Sequence, residues 1–477
     1  MEGKLVRNYI YNILYQLIKI AAPLIVVPVT LGKMTESVLG ISDFANNIAS
    51  WFVLFGILGI NTYGNREIAK VRDDKDQLSL TFFEIYFTQL FNMAIALGLY
   101  VLYILFFVKE NQLIFALYCI SVFSASLDIT WFYYGIEDFK IVSLRNIVIK
   151  LVGVGLILLM IHSPADLVKF VLINAFCDLF GHLITYSGLK GKISFKKIDF
   201  FAAYKKHIRA TFVLFIPTVA INVYTLLDKT MLGYLIADKG PVALYKTAQS
   251  FVQMFLYFIT SIGSIMMPRI ANVYHNNKDM EEVNHYLSAT FSLAVIFAVP
   301  MIAAMLTVTP YFIPWYLPKQ LGLISLIRIS SPIILFISIS NVYGIQYLVP
   351  TDHNKEFIIS VISGACINFV INLLLIPSLG GIGAAIGSLT AEFAVMLIQY
   401  LFVRKTIRIS AFSTFIKSII SASLMSVVVI MIGEKMGASL VCNLIQAVCG
   451  VIVYGSLMIL LKEKTIIDFL RSVIKHG

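Results

Sequence analysis

The sequence predicts an all-α polytopic membrane protein of about 14 transmembrane helices, built as two pseudo-symmetric six-helix lobes around a central cleft plus two extra C-terminal helices. Three observations predict it. Hydrophobic residues make up 59% of the 477-residue chain and charged residues only 13%, roughly half the charged share of a soluble domain. The apolar residues fall in long runs, each able to cross a hydrocarbon core of about 30 Å at about 1.5 Å per residue. Short segments of the first half recur in order in the second. A soluble core has no use for so many helices that are hydrophobic all round. The five cysteines, Cys119, Cys177, Cys366, Cys442 and Cys449, lie inside apolar runs without metal-ligand spacing and read as packing residues.

Taken in order, the predicted spans lie near 9–31, 38–60, 79–107, 113–134, 142–161, 166–188, 210–236, 242–266, 286–308, 322–349, 356–376, 382–403, 412–433 and 439–461. Lys4 and Arg7 precede a run too long for a signal-peptide core, so the first helix reads as a retained anchor. Basic residues alternate from one connection to the next. Arg66, Lys70, Arg72 and Lys75, then Lys140 and Arg145, and above all the link from Leu189 to His207 fall on one side; Lys33, Lys109, Lys239, Lys319 and Lys435 are nearly all that the other side holds. The positive-inside rule therefore places both termini in the cytoplasm. The net charge of +11 belongs to this pattern, and nucleic acid is not an expected partner. The external loops are short, the longest being Thr309 to Gly322 with three prolines.

The internal repeat divides the chain. Arg66-Glu67-Ile68-Ala69 recurs as Arg269-Ile270-Ala271, Tyr134-Gly135-Ile136 as Tyr343-Gly344-Ile345, and Asp178 with Tyr186 as Glu392 with Tyr400. The domains expected from it are 1–205, an N-terminal lobe with its basic linker; 206–409, a C-terminal lobe; and 410–477, two further helices with a cytoplasmic tail. Both copies begin in the cytoplasm, so the repeat is parallel.

Lipid excludes unpaired polar groups, so polar residues inside the spans mark helix contacts or a water-filled path. Neutral ones such as Asn46, Asn47, Gln89, Asn92, Gln249, Asn368 and Asn372 most simply join helices. The same applies to Trp131, read as a packing residue. Charges are the costly ones: Lys19, Asp43, Glu84, Asp128, Asp178 beside His182, Asp228 with Lys229, Lys246, Arg328 and Glu392. Adjacent Asp228 and Lys229 point about 100° apart on a helix, so at most one faces a cleft squarely; a buried ion pair joining two helices is the competing reading. No phosphate-gripping glycine loop, metal-spaced histidine pair or nucleophile elbow is present, so no enzyme is expected.

Four stretches stand in a telling order: Tyr63-GNREIAKV, Trp131-FYYGIEDFK, the central LLDKTMLGY (226–234) with Ala243-Leu244-Tyr245 and Pro268-Arg269-Ile270, and Gln346-YLVPTDHNKEF. Together they resemble bacterial polysaccharide repeat-unit flippases (Wzx-type) of the multidrug, oligosaccharidyl-lipid and polysaccharide exporter superfamily. The resemblance runs from the first helix to about Arg404. It implies turnover of a polyprenyl-pyrophosphate-linked oligosaccharide across the bacterial cytoplasmic membrane by alternating access, for O-antigen, capsule or exopolysaccharide. It implies no cofactor, coupling to H+ or Na+, membrane lipids as surroundings and a polysaccharide polymerase as partner. A pyrophosphate needs fixed cations in a poorly solvated path; Lys19 and Arg328, with Lys229 in reserve, are the expected phosphate-binding residues. Asp178, Glu392, Asp228 and Asp128 are the candidate cation-coupling or cleft acids. The alternative is a cation-coupled multidrug exporter of the same superfamily, which would favour acids and aromatics over Lys19 and Arg328.

Overall fold

The computed structural model describes residues 2–277 and 279–467, and among these no strand occurs. The side chains of 2–17, of several positions within 216–224 and 261–268, and of 276–277 are not described; those of Lys4, Arg7 and Pro217, with Lys278, Arg471 and Lys475, therefore lie outside the described residues. Among the described residues, eleven helical segments are long and apolar enough to cross a membrane, by length and composition. The chain divides into two compact units, Met1–Ala243 and Leu244–Gly477.

In the first unit α1 (Glu2–Lys33) carries Pro23 and Pro28 without interruption. It lies against α7 (below), and Lys33 Nζ donates to Ile161 O at 2.9 Å. Thr35 caps α2 (Glu36–Ile57), its hydroxyl accepting from Val38 N. The helix then breaks at Leu58 and Gly59, both left-handed (φ 48° and 73°), before α3 (Ile60–Val71). Glycine is needed there twice over: the backbone conformation favours it, and an added Cβ would lie 2.9 Å from Phe215 N. Next come α4 (Lys75–Phe107), capped by Asp74, then α5 (Gln112–Ser126), the short α6 (Thr130–Gly135) and α7 (Phe139–Met160). A 3₁₀ turn closed by Asp166 leads into α8 (Leu167–Tyr186). The unit is completed by α9 (Phe200–Leu235), capped by Asp199 and packed on α2, α3 and α4.

Two of the sequence motifs are pressed together inside this unit. A Cβ on Gly64 of α3 would meet the Trp131 ring at 2.6 Å, and one on Gly135 of α6 would meet Ile68 at 2.5 Å. The core around them joins Ile60, Tyr63, Ile68, Phe82, Trp131, Phe132 and Tyr133, all buried. The turn between α9 and the next helix is held by Lys239, whose ammonium donates to Gly233 O (2.6 Å) and Ile236 O (2.9 Å) and lies over the Phe44 ring. Burial pushes that ammonium below the usual lysine range.

The boundary between units falls within α10 (Gly240–Asn272). A π-turn leads to α11 (Met280–Tyr316), capped by Asp279. Here the expected external loop is shorter than predicted: residues 309–316 continue α11, with Pro310 and Pro314 inside it. Proline is tolerated in membrane helices where neighbours satisfy the freed backbone, and this end is stiffened by stacked Phe312 and Tyr316 with rings 4.5 Å apart. After α12 (Leu323–Ser330) and α13 (Ile333–Ser340), separated by Ser331 and Pro332, a π-helix spans Asn341–Leu348. Then follow α14 (Asn354–Leu379) and α15 (Gly381–Val403), which pack against each other. Finally α16 (Phe412–Met436) and α17 (Leu440–Leu460) lie against α11. Tyr454 Oη donates to Ile296 O at 2.8 Å and Trp315 Nε1 to Asn443 Oδ1 at 2.5 Å.

Helix boundaries carry the repeat. Starts at Glu36 and Gly240 differ by 204, at Lys75 and Met280 by 205, and at Phe139 and Asn354 by 215. The turns before the last pair match in detail. Glu137 (φ 56°) precedes a bond from Asp138 N to Tyr133 O, and Asp352 (φ 65°) one from His353 N to Leu348 O, each 2.9 Å. α11 is four residues longer than α4, 37 against 33, which accounts for part of the drift.

Packing of α3 on α6 gives a direct test. Gly64→Ala should cost about 1–3 kcal/mol by overpacking against Trp131, lowering the thermal midpoint and the membrane abundance. Gly98→Ala, where nothing lies within 4 Å, should leave both unchanged or slightly raised.

Candidate functional site

The break between α5 and α6 leaves carbonyls that hydrocarbon cannot satisfy. One side chain serves them: Gln89 of α4 donates from Nε2 to Ser126 O (3.1 Å) and Asp128 O (2.9 Å), while its Oε1 accepts from Trp131 Nε1 at 2.9 Å. Asp128 sits in the break, its Oδ1 accepting from Thr130 N at 2.9 Å. The same oxygen lies 3.5 Å from His182 Nδ1 of α8, both side chains being 19% exposed. Arg145 Nη1 of α7 approaches that imidazole nitrogen to 3.5 Å. Asp178, one turn before His182, is exposed and within electrostatic reach of His182, Lys150 and Arg145. Two of the expected acids, Asp128 and Asp178, are thus brought into one cluster with a histidine and two cations. Tyr186 joins it through Leu127 O (3.1 Å) and Tyr86 Oη (2.7 Å). Asp128 has a structural duty as well, because it takes the amide of Thr130, the first residue of α6.

Sequence reasoning missed Arg145 as a member of this cluster and took it for a loop charge. Its position four residues past Ile141, inside the predicted span 142–161, is the signal that could have placed it on the helix.

On α9, Asp228 is fully buried and Lys229 half-buried, as expected for adjacent residues on one helix. The neighbouring Thr230 is the point of attachment to α2. Its Oγ1 accepts from Asn47 Nδ2 and from Trp51 Nε1, both at 2.8 Å, and Asn47 Nδ2 also reaches Leu226 O at 3.0 Å. Lys19 is half-buried on α1. Lys19 and Lys229 belong to the first unit and Arg328 to the second.

Glu84 has a peripheral role. The structure pairs it with Lys206 Nζ (2.6 Å) and His207 Nε2 (2.9 Å) at the start of α9, and His207 Nδ1 bonds Tyr63 Oη at 2.7 Å. It fastens the basic linker to the first unit.

In the second unit Arg328 ends α12 exposed, its Nε donating to Leu306 O of α11 at 2.8 Å. Glu392 is buried on α15, 5% exposed. Near it Asn372 Nδ2 donates to Asn368 Oδ1 at 3.1 Å, and Gly387 of α15 lies directly against Asn372. Tyr245 Oη and Ser388 Oγ are 2.7 Å apart, with Gln249 Nε2 donating to Tyr245 Oη. Tyr245 and Ser388 therefore join α10 to α15, whereas the Asn372–Asn368 and Gln249–Tyr245 bonds lie within single helices.

Residues 5–274 match the family described as Polysaccharide biosynthesis protein. The chain belongs to that family. This family member is 23% identical over 409 residues to the "Putative O-antigen transporter" of Escherichia coli K12, covering 83% of this chain and 96% of that one. With the protein of the same name from Shigella dysenteriae it shares 25% identity over 374 residues, 76% of this chain and 91% of that one. Among solved structures, one titled "Lipid II flippase MurJ, inward closed conformation" superposes with a TM-score of 0.75 at 15% identity, covering 98% of this chain and all of that one. An inward-facing multidrug resistance MATE family transporter gives 0.61 at 12% identity over 82% of this chain and 94% of its own. These likenesses establish the fold as that of polytopic transporters.

Attachment of α9 to α2 through Thr230 predicts coupling. Asn47→Leu and Thr230→Val should each lower the thermal midpoint, and the double variant should lose less than the sum. The interaction energy expected for side chains in direct contact is about 0.5–3 kcal/mol.

Proposed function

We infer that this chain is a flippase that moves a polyprenyl-pyrophosphate-linked oligosaccharide repeat unit across the cytoplasmic membrane of a bacterium, for assembly of a surface polysaccharide. The observation that carries the reading is a match to the polysaccharide biosynthesis family across residues 5–274, on a fold shared with a lipid II flippase over 98% of the chain. Both termini lie in the cytoplasm, where the basic connections gather. For transport the chain acts as lobes 1–205 and 206–409, with 410–477 as an addition, and the lobes alternate access to either face. A polysaccharide polymerase machinery takes the product on the outer side.

Charge assigns the roles. The prenyl tail stays in lipid while sugars and phosphates need a wet, cationic path. Lys19, Arg328 and, in reserve, Lys229 meet the pyrophosphate. Arg328 is exposed and among the described residues gives only Nε to Leu306 O, so its terminal nitrogens are available to an anion. Among the acids, the Asp128–Asp178–His182 cluster is the candidate for coupling to a cation, with Asp228 and Glu392 as further cleft acids. A cation-coupled drug exporter is the second reading, favoured by this acid cluster and by the likeness to the multidrug transporter fold.

Transport by well-expressed variants decides between them. Lys19→Ala and Arg328→Ala should each cut export of lipid-linked repeat units at least about tenfold, one lost phosphate contact being worth more than about 1.4 kcal/mol. Lys19→Arg and Arg328→Lys should retain most of it. Normal export in both alanine variants would put the phosphate site elsewhere, and altered drug tolerance with normal export would favour the second reading.

A further inference from the structure

Phe195 and Phe201 are 79% and 82% exposed, more open than the large apolar side chains described along the membrane-spanning helices, yet they sit in and beside the basic link from α8 to α9. One side of that link is pinned. Ser194 N donates to Ser79 Oγ at 3.0 Å, Lys196 pairs with Asp76 at 2.7 Å, and Lys192 pairs with Asp138. The other side is spare. Lys190, Lys197, Lys205 and Arg209 are exposed and have no acid at ion-pair distance among the described residues. Asp199, the exposed acid between them, is engaged in capping α9 through Ala202 N at 3.2 Å. The aromatics continue an apolar flank of α4. Phe87, Phe91, Ile95 and Leu99 recur every fourth residue and are all exposed, a stripe that on a membrane-spanning helix meets acyl chains. Phe195 packs edge-on against Phe83, one turn before Phe87, with ring centroids 5.3 Å apart, and Phe200 and Tyr204 pack on Phe91 at 5.3 and 5.2 Å. The spare cations therefore gather where the acyl-facing stripe ends, at the level of lipid headgroups. The link after α15 repeats the arrangement in the second unit: Arg404, Lys405 and Arg408 are exposed, and Phe412, the first residue of α16, is 79% exposed.

We propose that the link between α8 and α9 docks onto anionic phospholipid of the cytoplasmic leaflet, with Phe195 and Phe201 entering the acyl boundary and Lys190, Lys197, Lys205 and Arg209 meeting the phosphates. The leaflet rests on the orientation inferred above; the lipid chemistry does not. Charge complementarity selects an anionic headgroup, since each lysine or arginine held near a membrane surface favours an anionic leaflet about fivefold. A free anion would satisfy the cations and leave two aromatic rings in water. A protein partner would have to cover rings that run directly into the acyl-facing stripe of α4. A phospholipid meets both requirements with one molecule, its phosphate among the cations and its chains along the rings. Docking also fixes the start of α9, because the link enters that helix just before His207, which bonds Tyr63 of α3 and Glu84 of α4.

The test titrates the delipidated full chain, in an uncharged detergent, with phosphatidylglycerol or phosphatidylcholine while amide hydrogen exchange is followed over residues 189–209. Phosphatidylglycerol should slow exchange there saturably, and phosphatidylcholine should need at least about tenfold more lipid for the same protection. Lys190→Gln combined with Lys197→Gln should raise the half-saturating phosphatidylglycerol about twentyfold, at about fivefold for each cation lost, and leave the melting temperature unchanged. Phe201→Ser should weaken both lipids by the same factor, and it leaves the Phe195–Phe83 contact intact should Phe195→Ser fail to fold. Equal protection by the two lipids would reduce the link to an apolar surface and overturn the proposal. Equal protection by inorganic phosphate would make it a site for free anions, and exchange unchanged by either lipid would leave it to a protein partner; each result would overturn the proposal as well. No step of the test measures transport, so its failure would leave the flippase reading standing.

Discussion

Hydrocarbon offers no hydrogen bond, and the interrupted helices of this protein follow from that one constraint. Two of the breaks have a side chain assigned to them. Gln89 closes the gap between α5 and α6 by serving carbonyls there and the Trp131 indole with one amide. At the Ser331–Pro332 interruption, Ser331 Oγ donates to Arg328 O at 2.9 Å, and Arg328 itself turns to Leu306 O. Gly59 lets α9 cross the break between α2 and α3 at backbone contact distance. Removing the Gln89 amide would strand polar backbone in lipid, at about 1–3 kcal/mol for each buried group left unpaired.

The same constraint explains why the stretches that carry the family likeness are largely structural. Gly64 and Gly135 admit Trp131 and Ile68, and His207 ties the basic linker to Tyr63 and Glu84. What remains, for the transport role proposed above, is a smaller set of charges. Asp128, Asp178, His182 and Arg145 gather in the first unit, and Arg328 and Glu392 belong to the second. A path for sugar phosphates needs such a division between charges that hold helices and charges that meet substrate.

Much of this was legible in the sequence because its signals are periodic or compositional. Apolar runs gave the helices, and the offset of about 200 to 215 residues reappears in helix starts separated by 204 to 215. Asn368 and Asn372, one turn apart, bond each other as their spacing implies. Other features depend on partners far along the chain. Glu84 looks intramembrane until Lys206 and His207, more than 120 residues later, are brought to it. Arg145 follows Lys140 and passes for a loop charge until α8 sets His182 beside it. The extension of α11 through Pro310 and Pro314 contradicts local propensity, and only packing in a helical surround sustains it. The π-helix at Asn341–Leu348 has no periodicity to announce it.

Reconstitution tests the central claim most directly. The purified chain would be placed in sealed vesicles whose membrane carries a polyprenyl-pyrophosphate oligosaccharide, and the fraction open to a membrane-impermeant sugar-oxidising reagent followed over time. If the chain is a flippase, that fraction should rise from the outer-leaflet share towards completion only when the protein is present, and a prenyl lipid lacking the phosphates should gain nothing. An accessible fraction that stays at the outer-leaflet share with folded protein present, while the same vesicles accumulate an organic cation, would contradict the flippase reading.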